Sequence, residues 1–271
     1  MGNATPDASR KPATAARIYD YFLGGVHNFP ADQEAARAML TSAPAMLPIA
    51  RVNRAFLRRA VSCLTEAGVR QFLDIGSGIP TAGNVHEIAQ RAVPDARVVY
   101  VDIDPVAVAE SLELLEGNRW ATAIRADLRT PRTIVDHPQV RKLIDFSQPV
   151  ALLLVGVLYF VPDDAEAYAA VAELTGACAP GSYLVVSHST IDEKAYDPDA
   201  LRSTQDVYKR QTATPLTVRT RDGIRRFFDG FELLEPGLVW QPEWRPEPTD
   251  PEHFRDEPER SRMLAAVGRL P

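Results

Sequence analysis

Cysteine is scarce in this chain: Cys63 and Cys178 are the only two among 271 residues. They lie far apart, each inside an apolar helical pattern. That excludes a disulfide framework and a zinc-binding cysteine spacing, and two buried free thiols are expected. An excess of basic residues is missing too, since 30 Lys and Arg stand against 36 Asp and Glu, a formal net charge of -6. Nucleic-acid-binding proteins generally present a basic face to phosphates, so general nucleic-acid binding is not expected. The local cluster of Arg51, Arg54, Arg58 and Arg59 has the spacing of one helix and reads as a solvated face. Long hydrophobic runs are absent: Val150 to Val161 is the longest, short of the roughly 20 residues a membrane span requires. The N-terminus, MGNATPDASRKPATAA, has no apolar signal-peptide core, and Pro6 spoils any myristoylation start at Gly2. A cytoplasmic protein with no membrane partner is expected. Nothing in the sequence speaks to oligomeric state.

What is present is a globular composition, 45% hydrophobic and 24% charged, in a chain long enough for one large α/β domain with extra segments or for two small domains. Residues 1–13 are small, polar and proline-containing, and read as a disordered N-terminus. Residues 14–68 read as a helical lid or cap. Helices are expected over Ala15 to Leu23, stopped by Gly24-Gly25, then Pro30 to Leu40 and Met46 to Ala67. From 69 to 240 short apolar runs alternate with helical stretches. Strands are expected at Arg70 to Ile75, Arg97 to Val101, Trp120 to Arg125, Pro149 to Val155 and Gly181 to Ser187. Helices fall between them at Thr81 to Ala92, Pro105 to Leu115, Pro131 to Ile144 and Asp163 to Cys178. This alternation predicts a Rossmann-like, doubly wound α/β fold with a mostly parallel sheet. Two further helices, Asp197 to Arg210 and Thr220 to Asp229, precede an antiparallel hairpin, Phe231 to Glu235 and Leu238 to Trp240, turning at Pro236-Gly237. Residues 241–271 read as a proline-rich, acidic C-terminal extension ending in a short helix.

The chemistry concentrates where strands end. QFLDIGSGIP, residues 71–80, closes a buried strand with Asp74 and then opens a turn with Gly76, Ser77 and Gly78. Glycines there let the backbone approach a ligand, and the next helix presents its positive N-terminus. A dinucleotide fingerprint needs a third glycine, but its position holds Thr81, and Gly83 is out of register. Asp74 suits a cation. S-adenosyl-L-methionine (SAM) carries a sulfonium and an ammonium, whereas a nicotinamide dinucleotide would set a pyrophosphate beside that carboxylate. At the end of VVYVDI, Asp102 is placed to accept from ribose hydroxyls, and Asp104 to cap the helix at Pro105. Asp127 and Leu128, after the third strand, are placed for an adenine ring. All three acids lie on the carboxyl edge of the sheet, where open α/β folds bind ligands.

The strand-D-x-G-x-G turn, the acid after the second strand and the A-D after the third resemble the class I SAM-dependent methyltransferases. ARIYDYFLGGVHNFPADQEAA at 16–36, GVLYFVPDD at 156–164 and RRFFDGFELLEPGLV at 225–239 resemble a bacterial family of predicted SAM methyltransferases, formerly a domain of unknown function. That resemblance covers nearly the whole chain. It implies the fold and the cofactor but supplies no substrate. By it, Asp74, Gly76, Ser77 and Gly78 would hold the methionine part of SAM. Asp102 with Ile103 would take the ribose side, Asp127 with Leu128 the adenine, and Gly156 would lie beneath the transferring methyl. Tyr21 and the loop from Gly24-Gly25 to Asn28, with His27, are expected to fold over the open end. No N/D-P-P-Y follows the fourth strand, which argues against methylation of a base or glutamine nitrogen and for a small-molecule acceptor. His188 and Tyr159 are the catalytic candidates, with a hydrogen-bonded core histidine as the plain alternative for the first. Arg17 and Asp20 have the spacing of an i, i+3 surface pair. No metal site is expected. A SAM-binding protein without methyl transfer is the second reading, and an NAD-dependent oxidoreductase the third.

Overall fold

The computed structural model describes residues 12–79, 83–192 and 216–271, together with Arg202 and Asp206. The position of Thr81 and nearly all of the helix expected over 197–210 lie outside them. Five strands run parallel: β1 (Gln71–Ile75), β2 (Arg97–Asp102), β3 (Ala121–Arg125), β4 (Ala151–Val155) and β5 (Tyr183–Ser189), in the order β3-β2-β1-β4-β5. Alternate residues of one strand feed opposite faces, the period-two rule. Leu73, Ile75, Leu152 and Leu154 enter one core, and Phe72, Ala151 and Leu153 enter the other. Helices cover both faces, which is why the strands read as continuous apolar runs.

The crossovers include α4 (Val85–Ala92), α5 (Pro105–Leu114) and α8 (Asp164–Gly176). Asp104 caps α5, accepting from Val106 N at 2.8 Å. The helix expected over 131–144 is two helices, α6 (Pro131–Val135) and α7 (Pro138–Leu143), because Pro138 removes a helical donor and restarts the chain behind a His137 cap.

The carboxyl-terminal half of the sheet is antiparallel and completes differently from the expected hairpin. β6 (Glu232–Leu233) and β7 (Val239–Trp240) do not pair with each other. Both pair with β8 (Met263–Arg269), which lies antiparallel beside β5. The short helix and separate extension expected beyond residue 240 are therefore corrected: β8 is a buried strand of the core, and the core runs to residue 269. Gly268 is needed there, because a Cβ would come within 2.8 Å of the Phe228 ring.

Three helices precede the sheet: α1 (Ala15–Phe22), α2 (Pro30–Ser42) and α3 (Met46–Glu66). The expected Arg17–Asp20 pair does not form. Arg17 Nε donates to Asp32 on α2 at 2.9 Å, and its guanidinium lies 3.7 Å from Asp104. Asp20 turns to the following loop and accepts from His27 N at 3.0 Å and Asn28 Nδ2 at 2.7 Å. The solvated-face reading of the α3 arginines holds for Arg51, which is exposed, and fails for Arg58 and Arg59. Arg59 is buried and donates to the carbonyls of Trp244 and Gln241 and to Asp250, while Arg58 meets Asp250 and Glu247. These bonds bind the proline-rich stretch after β7 onto α3, with Trp244 buried edge-on against Phe56. Cys63 and Cys178 are unpaired and half-buried. Among the described residues no helix is long and apolar enough to cross a membrane.

Candidate cofactor and active site

Strand order reverses between β1 and β4, and each of these strands runs straight into a glycine with positive φ, Gly76 at 72° and Gly156 at 74°. Doubly wound sheets open a crevice at such a reversal. Here it is a cavity of about 610 Å³. Its floor takes Asp74 and the Gly76-Ser77-Gly78 turn from β1, Asp102 and Ile103 from β2, Asp127 and Leu128 after β3, and Gly156 after β4. The cofactor-site residues expected from the sequence are thus brought together, with one exception. Tyr21 does not line the cavity; it packs among the N-terminal helices. Tyr19 takes that place, since residues two apart on a helix face nearly opposite directions. Nor does the Gly24 to Asn28 loop roof the cavity. His27 Nδ1 lies 2.7 Å from Glu110 on α5, and the roof is made by residues 12–17.

The three acids sit in different electrostatic settings. Asp74 is 4% exposed and accepts no hydrogen bond from any described residue. Burial pushes its carboxyl up to about 7; Arg54 opposes that shift and Asp102 adds to it. Asp102 is 7% exposed and bridges two turns, with Oδ2 accepting from Gly78 N and Oδ1 from Asp104 N, each at 2.8 Å. Burial lifts its carboxyl to about 6 against those bonds. Asp127 is held by Arg129, which donates to both carboxylate oxygens, and this hydrogen bonding keeps its carboxyl below the usual range. Between Asp102 and Asp127, Ile103 leaves an apolar surface 53% exposed.

The wall contributed by α3 was not foreseen. Asn53, Arg54 and Leu57 line it. Asn53 is a polar residue on the apolar face with Val52, Phe56, Leu57 and Ala60, and that mismatch was the available signal. Its Oδ1 accepts from Ser187 Oγ at 2.7 Å and from Gln241, and its Nδ2 donates to the Tyr19 hydroxyl at 3.1 Å. Tyr19 in turn donates to Ala50 O at 3.0 Å. A Cβ on Gly156 would lie 3.1 Å from both Asn53 Nδ2 and the Tyr159 hydroxyl, so these polar groups crowd the space over that glycine.

Of the two catalytic candidates, Tyr159 lines the cavity and His188 does not. His188 is fully buried between Arg219, Tyr159 and Phe227. Arg219 Nη1 donates to Nε2 at 2.8 Å, which leaves the proton on Nδ1, 2.7 Å from Ser189 O. Both ring nitrogens are committed, and burial lowers the ring pKa to about 3. A side chain so held is a core histidine and has no free nitrogen for a substrate proton.

A reversed parallel sheet with an antiparallel edge and an acid-glycine turn facing the cavity defines the Rossmann-like methyltransferase class. The SAM-dependent methyltransferase SibL shares that fold, at a TM-score of 0.50 and 17% identity over 96% of this chain and 64% of its own. The family is closer at hand. A family model described as S-adenosyl methyltransferase matches residues 3–271, and the chain belongs to that family. A DUF574 family protein from Streptomyces avermitilis MA-4680 is 40% identical, with a TM-score of 0.90 over 98% of this chain and 100% of its own. A predicted methyltransferase from Thermobifida fusca YX is 39% identical, with a TM-score of 0.88 over 98% and 97%. No curated protein matches. SAM is the cofactor of this methyltransferase family and fold.

Proposed function

We propose that the protein transfers the methyl group of SAM to a small-molecule acceptor in this cavity. The observation that carries the reading is Asp74, a buried carboxylate at the strand reversal that accepts no hydrogen bond from any of the described residues. An unpaired buried charge is costly, and a cationic ligand offsets that cost. A pyrophosphate would raise it. The remaining lining fits the rest of the molecule. Gly76 and Gly78 keep the turn free of side chains, and Asp102 retains lone pairs for a diol. Ile103 and Leu128 offer apolar faces to a purine, beside Asp127.

When bound, SAM supplies a methyl group on a sulfonium leaving group. The work left to the chain is alignment and exclusion of water. Gly156 lets an acceptor come close to the end of β4, and Asn53, Tyr19 and Tyr159 shape the space above it. Residues 12–17 close the roof. They are fastened by the Thr14 hydroxyl, 2.5 Å from Asp104, and by Arg17, so the N-terminal helices serve as a cap. Since His188 is unavailable, the proton of a hydroxyl acceptor leaves to solvent or by way of Tyr159, and acceptors with an acidic hydroxyl or a neutral amine are favoured.

A SAM-binding role without methyl transfer is the second reading, favoured by the absence of a histidine or carboxylate base around Gly156 among the described residues. The experiment is calorimetry with SAM and with NAD separately, followed by release of S-adenosylhomocysteine over a panel of phenols, amines and carboxylic acids. Tight SAM binding with turnover on any class supports transfer. SAM binding without turnover on the panel supports the second reading, and tighter binding of NAD overturns both.

A further inference from the structure

The hydrogen bonds around Asn53 fix which way its amide points. Their anchor is the carbonyl of Ala50, which can only accept. Tyr19 spends its hydroxyl proton there, at 3.0 Å, so its oxygen accepts from Asn53, 3.1 Å away. That puts the amide nitrogen of Asn53 on the Tyr19 side and Oδ1 on the other. There Ser187 Oγ donates to Oδ1 at 2.7 Å, and Gln241 Nε2 donates as well. Both lone pairs of Oδ1 are then taken. One hydrogen of Nδ2 goes to Tyr19, and the second has no partner among the described residues. Asn53 is 5% exposed and lines the cavity, and a Cβ on Gly156 would lie 3.1 Å from Nδ2. At the end of β4 the cavity is thus offered a buried N–H donor that cannot turn into an acceptor. A buried donor without a partner is costly, and a ligand oxygen relieves that cost.

We propose that Asn53 donates this hydrogen to the methyl-accepting atom, so that the cavity selects an ionised oxygen over an amine. This rests on the methyl-transfer reading of the cavity and narrows its acceptors to one class. The selection lies in the lone pairs. An ionised hydroxyl oxygen spends one pair on the methyl carbon, as the carbon–sulfur bond breaks and its electrons return to sulfur, and keeps others for Asn53. Its proton has already gone to solvent, so the step needs no base. A neutral amine has a single lone pair, which the methyl carbon takes, and its N–H hydrogens would then face a donor. Nearby the rings of Tyr159 and Phe160 meet edge to face, centroids 4.6 Å apart, and both line the cavity. Such a wall suits a flat ring, so the acceptor class is an aromatic hydroxyl that ionises readily.

The test uses protein loaded with S-adenosylhomocysteine and two probes of one shape, para-nitrophenol and para-nitroaniline, at a pH where the phenol is ionised. Binding of each is measured by calorimetry to the wild type, to Asn53→Ala and to Asn53→Leu. The wild type is expected to prefer the phenolate by about ten- to a hundredfold, the range of a hydrogen bond to a charged group. Asn53→Ala is expected to cut that ratio by about fivefold or more. Should it fold poorly through the space it leaves, Asn53→Leu fills that space without a donor and is expected to cut the ratio equally. An Asn53 that serves only to hold α1 against α3 would weaken both probes alike; a ratio left intact, or cut by less than about fivefold, overturns the proposal. So does a wild type that holds S-adenosylhomocysteine but binds the two probes equally, prefers the aniline or binds neither, and each of these spares the SAM reading. A wild type that does not bind S-adenosylhomocysteine brings down the SAM reading and the proposal together.

Discussion

Lowering the pH from 7.5 to 6.0 is expected to weaken SAM binding about eightfold through Asp74 alone. With its carboxyl at about 7, roughly three quarters of Asp74 is ionised at pH 7.5 and about a tenth at pH 6.0. A cationic ligand binds the ionised form, so complex formation expels a proton and the apparent affinity follows the ionised fraction. The loss is on the order of 1 kcal/mol. Asp102, with its carboxyl near 6, adds at most about a further twofold. The ligand-free fold responds with the opposite sign. A folded carboxyl near 7 holds its proton more tightly than the same group unfolded, at about 3.9. The free protein therefore gains stability as the pH falls from about 7 toward 4, and ligand and acid compete for one side chain. Calorimetry at the two pH values, in buffers of different ionisation heat, counts the released proton, and urea unfolding of the free protein reads the stability term. Asp74→Asn is expected to bind weakly with a flattened pH slope. A constant affinity across this range, or an unchanged slope in Asp74→Asn, would refute the assignment of the cationic end to Asp74.

Further outcomes follow from the same geometry. Gly76→Ala is expected to lose about 2–5 kcal/mol in urea unfolding, since a left-handed residue costs about 1–2 kcal/mol and the overpacking about 1–3; its Cβ would fall 2.2 Å from a Val157 methyl carbon. A melting profile close to wild type would mean that the turn relaxes freely. Asp102→Ala is expected to weaken SAM by about 2–4 kcal/mol, from two charge-assisted bonds at about 1.5 or more each, and unaltered affinity in a folded variant would move the ribose contact elsewhere. Arg219→Met orphans the carbonyls of Leu158 and Val161, at about 1–3 kcal/mol each. Its SAM affinity, corrected for folded fraction, should stay within about twofold, because Arg219 borders the core and not the cavity; a large loss of affinity would show coupling to the site.

The sheet and its acid-ended strands were legible because both signals are local. An apolar run closed by Asp74 or Asp102 states a buried strand and the edge at which it stops. The misses came from contacts distant in sequence. Tyr19 and Tyr21 are equivalent on paper, and only the docking of α1 decides which faces the cavity. Arg59 looked like surface until the stretch after β7 lay across α3, some 180 residues later in the chain. His188 needed Arg219 before its two nitrogens were accounted for. The run MLAAVGR from Met263 is too short for periodicity to separate helix from strand, and its pairing with β5 settled it.

The place of β8, with β5 on one side and β6 and β7 on the other, bears on how this protein can be cut or tagged. A fragment that stops before Met263 strips β5 of its antiparallel neighbour, leaving a strand with apolar side chains and a row of unpaired backbone amides open to other chains. Clipping on that side would thus surface as clumping and lost yield, though every cavity residue named above remained in the fragment.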